Sequence, residues 1–433
     1  MTTKMPPAPV TELGYATAYS SSWWLSAEQE QTPELRWPLS IFVYDRMARQ
    51  DAQVQSVLRA VTLPVRRTPW SIEQGPASEE VTRFVADNLG LPVSGKPAAP
   101  SPRTRDRFSW SKHLTQALLM IRYGHMFFEQ VYRIGDDGRA YLRKLAPRMP
   151  QTLMAINVDR DGGLASIQQY GTLDGSAQDV TIPVSRLVGY IHEQEGGNWL
   201  GQSLLRPAYK HWLLKDRLIR VQAQTIERNG MGVPVYTADP EEADLEPGKK
   251  LAQGFRSGEN SGASIASGAK LELKGVTGTL PNAQTAIDYH DQQIGRSVLA
   301  HFLNLGTQTG SWALGSTFAD FFSMSLQTLA QQVGDITQQH VVEDLVDINF
   351  GPDEPAPRLT FQEIGSRHAV TAEAIALLVN SGVLLREPAL ERYIRETYGI
   401  PDKEPLPGQE PPPAAPAPST TPAPTGTGEG ADS

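Results

Sequence analysis

A chain of 433 residues with 39% hydrophobic residues is long enough to bury a large core, as two or three domains or as one elongated subunit. The formal charge of −9 argues against a free-standing protein that grips nucleic acid by a general basic surface, since that mode needs several Lys and Arg to release phosphate counterions; transient passage of DNA stays open. The absence of cysteine excludes disulfides, thiolate metal sites and cysteine nucleophiles, and with no run of about 18 apolar residues and no basic-then-apolar leader the chain is expected to stay in the cytosol, without membrane span or signal peptide.

Residues 1–35 read as an arm with Pro, Ser and the pair Trp23-Trp24, of a kind that orders only against a neighbour. From Leu39 to Leu63 the apolar residues Val43, Met47, Val54, Val57, Leu58 and Val61 recur at helical spacing, Pro64 marks the helix end, and VRRTPWSIEQ reads as a strand. A short helix, EEVTRFVADNLG, and a linker, GKPAAPSPRTRDR, precede a helix predicted over Ser109–Tyr132, with Leu114, Ala117, Leu118, Ile121 and Phe128 on one face. From Tyr132 to Ile191, β-rich runs alternate with turn signals at Gly135-Asp136-Asp137-Gly138 and Asp161-Gly162-Gly163, as in an antiparallel meander. The fold class is α+β.

The stretch Gly196–Tyr236 is read as one long helix in its middle. At about 100° per residue, Leu205, Ala208, Trp212, Ile219, Ala223 and Ile226 share an arc of roughly 60°, a face expected to be core. Arg206, Lys210, Arg217, Arg220 and Arg228 cluster in a separate arc of roughly 80°, with Lys215 off that stripe. Such a basic stripe reads either as a solvated or salt-bridged helix face or as a face near phosphate, and periodicity does not choose between them. Asn229-Gly230 and Met231-Gly232 supply the helix stop.

A small α/β insertion follows: a strand at Val233–Thr237, a helix over about Pro240–Arg256, a loop and a strand at Lys270–Lys274. A second helix starts at Asn282, a cap, with Ile287, Ile294, Val298, Phe302 and Leu305 as its apolar stripe. GTQTGSWALGS, residues 306–316, reads as a loop. Thr317–Val346 reads as a long helix with Phe318, Phe322, Leu326, Leu329, Val333 and Ile336 in near-heptad succession and a bend at Gly334. The strand-like PRLTFQEI, the helical segments TAEAIALLVNSG and EPALERYIRETYG, and a disordered or polyproline tail holding ten of the 34 prolines complete the chain.

This order of helix, insertion, helix, Gly/Ser loop and long bent helix resembles the portal proteins of tailed double-stranded DNA bacteriophages, and in particular the Mu-type group. Three strings carry the resemblance: YDRMARQDAQVQSVLRAVTLPVRRTPWSIEQG, NWLGQSLLRPAYKHWLLKDRLIRVQAQTIERNGMGVPV and IGRSVLAHFLNLGTQTGSWALGSTFADFF. The resemblance implies a portal fold, with wing, stem, clip and crown-like helical parts and long helices around a central channel. Carried onto this sequence, it implies a wing at 36–200 and stem helices at 201–231 and 281–305 around a clip at 232–280. A tunnel loop at 306–316, a long wing helix and returning strand at 317–365, crown-side helices at 366–400 and the tail at 401–433 would follow.

The implied function is a ring of subunits, twelve in the family's usual form, at one capsid vertex of the virion, through which double-stranded DNA is packaged and ejected. The implied partners are further copies of the chain, DNA bound without sequence preference, the large terminase subunit, the major capsid protein and a head-completion or adaptor protein, with no membrane and with assembly in the host cytoplasm. Gly306, Thr307, Gln308, Thr309, Gly310, Ser311, Trp312 and Gly315 would line the tunnel loop, and Lys249, Lys250 and Arg256 would face the terminase. An uncharged, glycine-rich loop suits DNA passage because it offers no fixed cation to trap phosphate.

No catalytic, cofactor or metal set is expected. Gly262 and Gly268 with Lys270 miss the phosphate-loop spacing, and neither a nucleophile-elbow nor a zinc-protease string occurs. His290 beside Asp291 reads as a polar pair on a helix surface, Asp159 to Asp161 as a turn, and Phe318, Phe321 and Phe322 as core or subunit interface. The competing readings are a minor capsid or connector adaptor protein, and a hydrolase whose dispersed carboxylates meet in the fold.

Overall fold

The computed structural model describes residues 30–97, 105, 107–173, 175–231, 233–255, 264–265, 267–274, 282–297 and 312–365, all on the N-terminal side of a division of the chain at Gly365. The expected arm up to residue 29, the helices at 366–400 and the proline-rich tail lie outside the described residues.

The single helix expected over 39–63 is two helices, α1 (Leu39–Gln50) and α2 (Ala52–Arg67). Asp51 breaks them: its backbone is extended (φ −110°, ψ 122°) and its carboxylate accepts hydrogen bonds from the N–H groups of Gln53 and Val54 at 2.8 and 3.1 Å. An aspartate cap satisfies N–H groups that the first helical turn leaves unpaired. The apolar period ran through the break because both helices bury the same kind of face. Pro64 does not end α2: a proline removes one helical hydrogen bond, but Thr68 N–H still bonds Pro64 O at 3.0 Å and Val65 is fully buried, so the last turn holds.

Strand β1 (Trp70–Glu73) is followed by α3 (Glu79–Leu89), capped by Ser78 and closed by left-handed Gly90. The helix expected to reach Tyr132 stops far earlier, after α4 (Trp110–Ala117) and α5 (Met120–Tyr123). Gly124 has φ 92°, and a Cβ there would lie 2.5 Å from Leu200 O, so only glycine passes at this point. The chain turns into β2 (His125–Ile134), where Phe128 sits on a strand, not on a helical face. Period-two alternation then sends Met126 and Phe128 into the main core and Phe127 into a second, smaller one.

Strands β2, β3 (Ala140–Arg148) and β7 (Leu187–Ile191) form one antiparallel sheet in the order β3-β2-β7. A second antiparallel sheet, β4 (Leu153–Val158), β5 (Leu164–Leu173) and β6 (Ser176–Pro183), joins it through the smaller core, where Ile167 and Ile182 meet Phe127, Leu187 and Ile191. The expected meander is thus two sheets.

From this body rise α6 (Tyr209–Met231) and α8 (Ala283–Arg296), separated by an insertion of β8 (Val233–Thr237), α7 (Glu246–Gly254) and β9 (Lys270–Lys274). Helix α6 runs through Asn229-Gly230 to Met231. Helix α7 starts later than Pro240 because Asp239 and Asp244 fold the preceding chain into turns, accepting from Glu241 and Glu246 N–H at 3.0 Å. Asn282 caps α8 at 2.9 Å, and Ile287 and Ile294 are buried.

Helix α9 (Trp312–Thr337) begins inside the expected loop and continues, through one π-helical turn at Gln338–Val342, into α10 (Glu343–Phe350). The helix is continuous through Gly334, which is buried, and a Cβ there would stand 3.6 Å from the Trp70 ring. The irregularity lies one turn later. A π turn inserts one residue into the helical ladder, and here Gln130 donates at 2.8 Å both to His340 O and to Asp344 Oδ2. Phe322, Leu326, Leu329 and Val333 line the buried face of α9, while Gln338 holds strand β10 (Arg358–Phe361) through Pro357 O and Leu359 N–H. Strand β10 pairs antiparallel with β1, Trp70 opposite Phe361.

A buried polar chain fastens α4, β7 and α9. The Thr337 hydroxyl donates to Val333 O at 2.7 Å. Tyr190 Oη–H therefore donates to Thr337 Oγ1 at 2.9 Å, and His113 Nε2–H donates to Tyr190 Oη at 2.9 Å. Burial lowers the His113 pKa to about 3, so the ring is neutral. The unfolded histidine titrates near 6.5; between about 6.5 and 3 the unfolded chain binds more protons, so the stability present above 6.5 is lost as pH falls. Replacing His113 by Asn should remove up to about one proton, or about 1.4 kcal/mol per pH unit, from the slope of unfolding free energy between pH 6 and 5 in urea titrations. Tyr190→Phe, which strands the His113 N–H, should cost about 1–3 kcal/mol at pH 7 in the same assay.

Candidate functional site

The paired helices α6 and α8 carry the candidate site. They run antiparallel: His211 meets His290 near one end of the pair, and Gln222 reaches Gln284 near the other. Between these contacts Lys215, only 7% exposed, places its ammonium 3.0 Å from Asp51 Oδ2 and 2.5 Å from Asp291 Oδ1. Burial acts to lower the Lys215 pKa, but the two carboxylates hold it above its ordinary value. The same Asp51 that caps α2 thus anchors α6, and α6 in turn holds α8.

The face of α6 expected to be core is core only at its base. Leu205, Ala208 and Trp212 are buried, but Ile219 is 44% and Ile226 66% exposed; among the described residues α8 is the main element packed on α6. The covered arc carries His211, Lys215, Leu218, Gln222 and Thr225. These residues recur at spacings of 4, 3, 4 and 3, the signature of one helix face, but polar side chains at that spacing read as a solvent face. Lys215 and His211 were missed for that reason.

The basic stripe is divided by the structure. Arg206 precedes the helix, in a turn, and forms a two-pronged ion pair with Glu30 at 2.5 and 2.7 Å. Burial pushes Glu30 up, but the Arg206 guanidinium and the Thr32 N–H hold it below the usual carboxylate value. Arg220 pairs with Asp216 one turn back at 2.8 Å. Lys210 and Arg217 are exposed and have no ion-pair partner among the described residues; the Arg228 side chain lies outside them.

In the insertion, Lys249 pairs with Glu246 at 3.2 Å and Lys250 is exposed, while Arg256 lies outside the described residues. Gly306, Thr307, Gln308, Thr309, Gly310 and Ser311 also lie outside them. Trp312 and Gly315, expected in the loop, belong to the first turn of α9. Of the aromatic stripe, Phe322 is buried and Phe321 is 56% exposed. Among the described residues no group of three or more His, Cys, Asp or Glu converges as a metal site, and no helix is long and apolar enough to cross a membrane.

Replacing Lys215 by Met leaves two carboxylates, one of them nearly buried, facing each other without a cation. This should destabilise the fold by about 3–5 kcal/mol, and adding Asp51→Asn and Asp291→Asn should recover much of that loss. Thermal unfolding of the three proteins at one pH checks the order.

The chain matches known proteins in sequence and in fold. The family profile for the portal protein of Mu bacteriophage matches residues 41–400. In fold, the chain is similar to a protein from the virion of a native gene transfer agent particle, with a TM-score of 0.54, 11% identity, and 85% of this chain and 95% of that chain covered. It is also similar to a protein of the neck of that native particle computed with C12 symmetry, with a TM-score of 0.53, 11% identity, and 83% and 94% of the two chains covered. By the profile match across its body, paired helices and long α9, the chain belongs to the family of Mu bacteriophage portal proteins.

Proposed function

We propose that this portal protein closes into a ring of identical subunits at a capsid vertex of a virion, with α6 and α8 standing around a channel for double-stranded DNA. The observation that carries this reading is the division of α6 into four sectors. Counting about 100° per residue, the arc from Thr225 through His211 to Lys215 faces α8. Leu214 (45% exposed) and Val221 (47%) flank it on one side, and Ile219 and Ile226 on the other. Lys210, Arg217 and Arg220 occupy the remaining arc, with Asp216, Glu227 and Leu213.

A rotationally symmetric ring needs two different complementary surfaces on each subunit, one for each neighbour. The two apolar flanks supply them, and the basic arc is then left to the channel and not to a subunit seam. Twelve copies is the stoichiometry favoured by likeness to the neck protein whose particle was computed with C12 symmetry. Exposed Lys and Arg with few fixed partners give weak, sequence-independent phosphate contacts, suited to DNA that slides.

The remaining roles follow from family membership. The insertion, with Lys249, Lys250 and Arg256, docks the terminase large subunit during packaging and an adaptor afterwards. The segment 306–311 narrows the channel, the body meets the major capsid protein, and the ring assembles in the host cytoplasm. The chemistry is passive, with no bond made or broken by the portal.

Negative-stain microscopy of the purified protein should show closed rings with a central hole; a strictly monomeric or dimeric particle under all assembly conditions would sink the proposal. Because the chain has no cysteine, single thiols report sectors without background. Val221→Cys and Ile219→Cys should lose reactivity toward a maleimide on ring formation, and Arg217→Cys should keep it. Protection of Arg217→Cys would place the basic arc in a seam instead.

A further inference from the structure

We propose that His211 of α6 and His290 of α8 form a site for a divalent transition-metal ion that clips the two helices together, with water completing its coordination. The two Nδ1 atoms lie 3.1 Å apart, with ring centroids at 5.3 Å. Two imidazole nitrogens bound at about 2.0–2.1 Å to adjacent positions of one ion are separated by about 3.0–3.4 Å. The helices already hold that spacing, and loading swings each Nδ1 lone pair about 40° off the line between the two nitrogens by ring rotation.

Without an ion the contact is one N–H···N hydrogen bond, so one ring carries its proton on Nδ1. Loading moves that proton to Nε2 of the same ring through water, freeing both Nδ1 lone pairs, and no net proton is released from a neutral pair. Burial, with His290 and Lys210 nearby, lowers the His211 pKa. Tyr289 packs edge-on to both rings, at 6.3 and 5.4 Å, and walls one side.

The surrounding charge favours a cation. Lys215, one turn from His211, sits between Asp51 and Asp291, the latter next in sequence to His290. One ammonium against two carboxylates leaves a net negative charge beside the pair. Lys210 on the exposed arc opposes it, but in water. Imidazole ligands suit nickel, copper, cobalt and zinc, and a site with only two protein ligands favours ions that keep several waters, nickel and copper before zinc. The clip joins the two helices next to the Lys215 cluster and does not depend on ring closure.

Calorimetric titration of Ni²⁺ into the full-length protein at pH 7.5 tests it. One ion should bind per subunit, raise the thermal midpoint, and bind about tenfold or more weakly in each of His211→Asn and His290→Asn, with His192→Asn as an unaffected control. Cu²⁺ should give an electron paramagnetic resonance signal with two equatorial nitrogens in the wild type and fewer in either variant. Binding unchanged in both variants, or no saturable binding at millimolar Ni²⁺, would reduce the pair to a hydrogen bond and overturn the proposal. Circular dichroism of the variants separates loss of ligand from loss of fold.

Discussion

The buried ammonium of Lys215 is the point on which the candidate site depends. It joins three parts of the chain that are distant in sequence: the α1–α2 break at Asp51, the lower half of α6, and α8 at Asp291. A charge that deep is costly to bury, and a pair with one carboxylate often gains little over apolar packing. Two carboxylates change the balance, since each offsets part of the ammonium's desolvation while Asp51 is also held by two backbone N–H groups. Its contribution is therefore direction as much as stability. The ammonium fixes which face of α6 turns inward, and so which faces turn outward.

The ring and channel reading follows from that orientation. With Lys215 inward, Leu214 and Val221 fall to one side, Ile219 and Ile226 to the other, and Lys210 and Arg217 to the open arc. An isolated subunit leaves these apolar flanks in water, which is what a subunit completed by neighbours looks like. The body below is held together by other contacts. The His113–Tyr190–Thr337 chain satisfies polar groups inside the core, and glutamines of the long helix reach strand backbones: Gln332 to Ile191 O, and Gln338 to Pro357 O and Leu359 N–H.

Much of the fold was legible in the sequence wherever one periodicity ruled. The strands Val233–Thr237 and Lys270–Lys274, the cap at Asn282 and the buried line Phe322, Leu326, Leu329, Val333 on α9 stand where pattern and capping chemistry put them. The errors have particular causes. The helix across Asp51 is broken by a local cap that Lys215 also holds, and the helix over Phe128 is stopped at Gly124 by the approach of Leu200 O, from a distant part of the sequence; no contact is identified for the loop through Trp312.

The sequence by itself determined most element types, their order and the family, because these rest on local periodicity and on long strings in a set order. Only the tertiary structure decided which face of α6 is inside and which basic residues are neutralised. A lysine that anchors a core and a lysine left exposed on a helix have the same hydropathy. Their difference lies in the partners that folding brings within 3 Å, Asp51 and Asp291 for the one and no carboxylate among the described residues for Lys210. The basic stripe read along the helix was one feature; in three dimensions Arg206 belongs to Glu30, Arg220 to Asp216, and Lys210 and Arg217 remain available for a ligand.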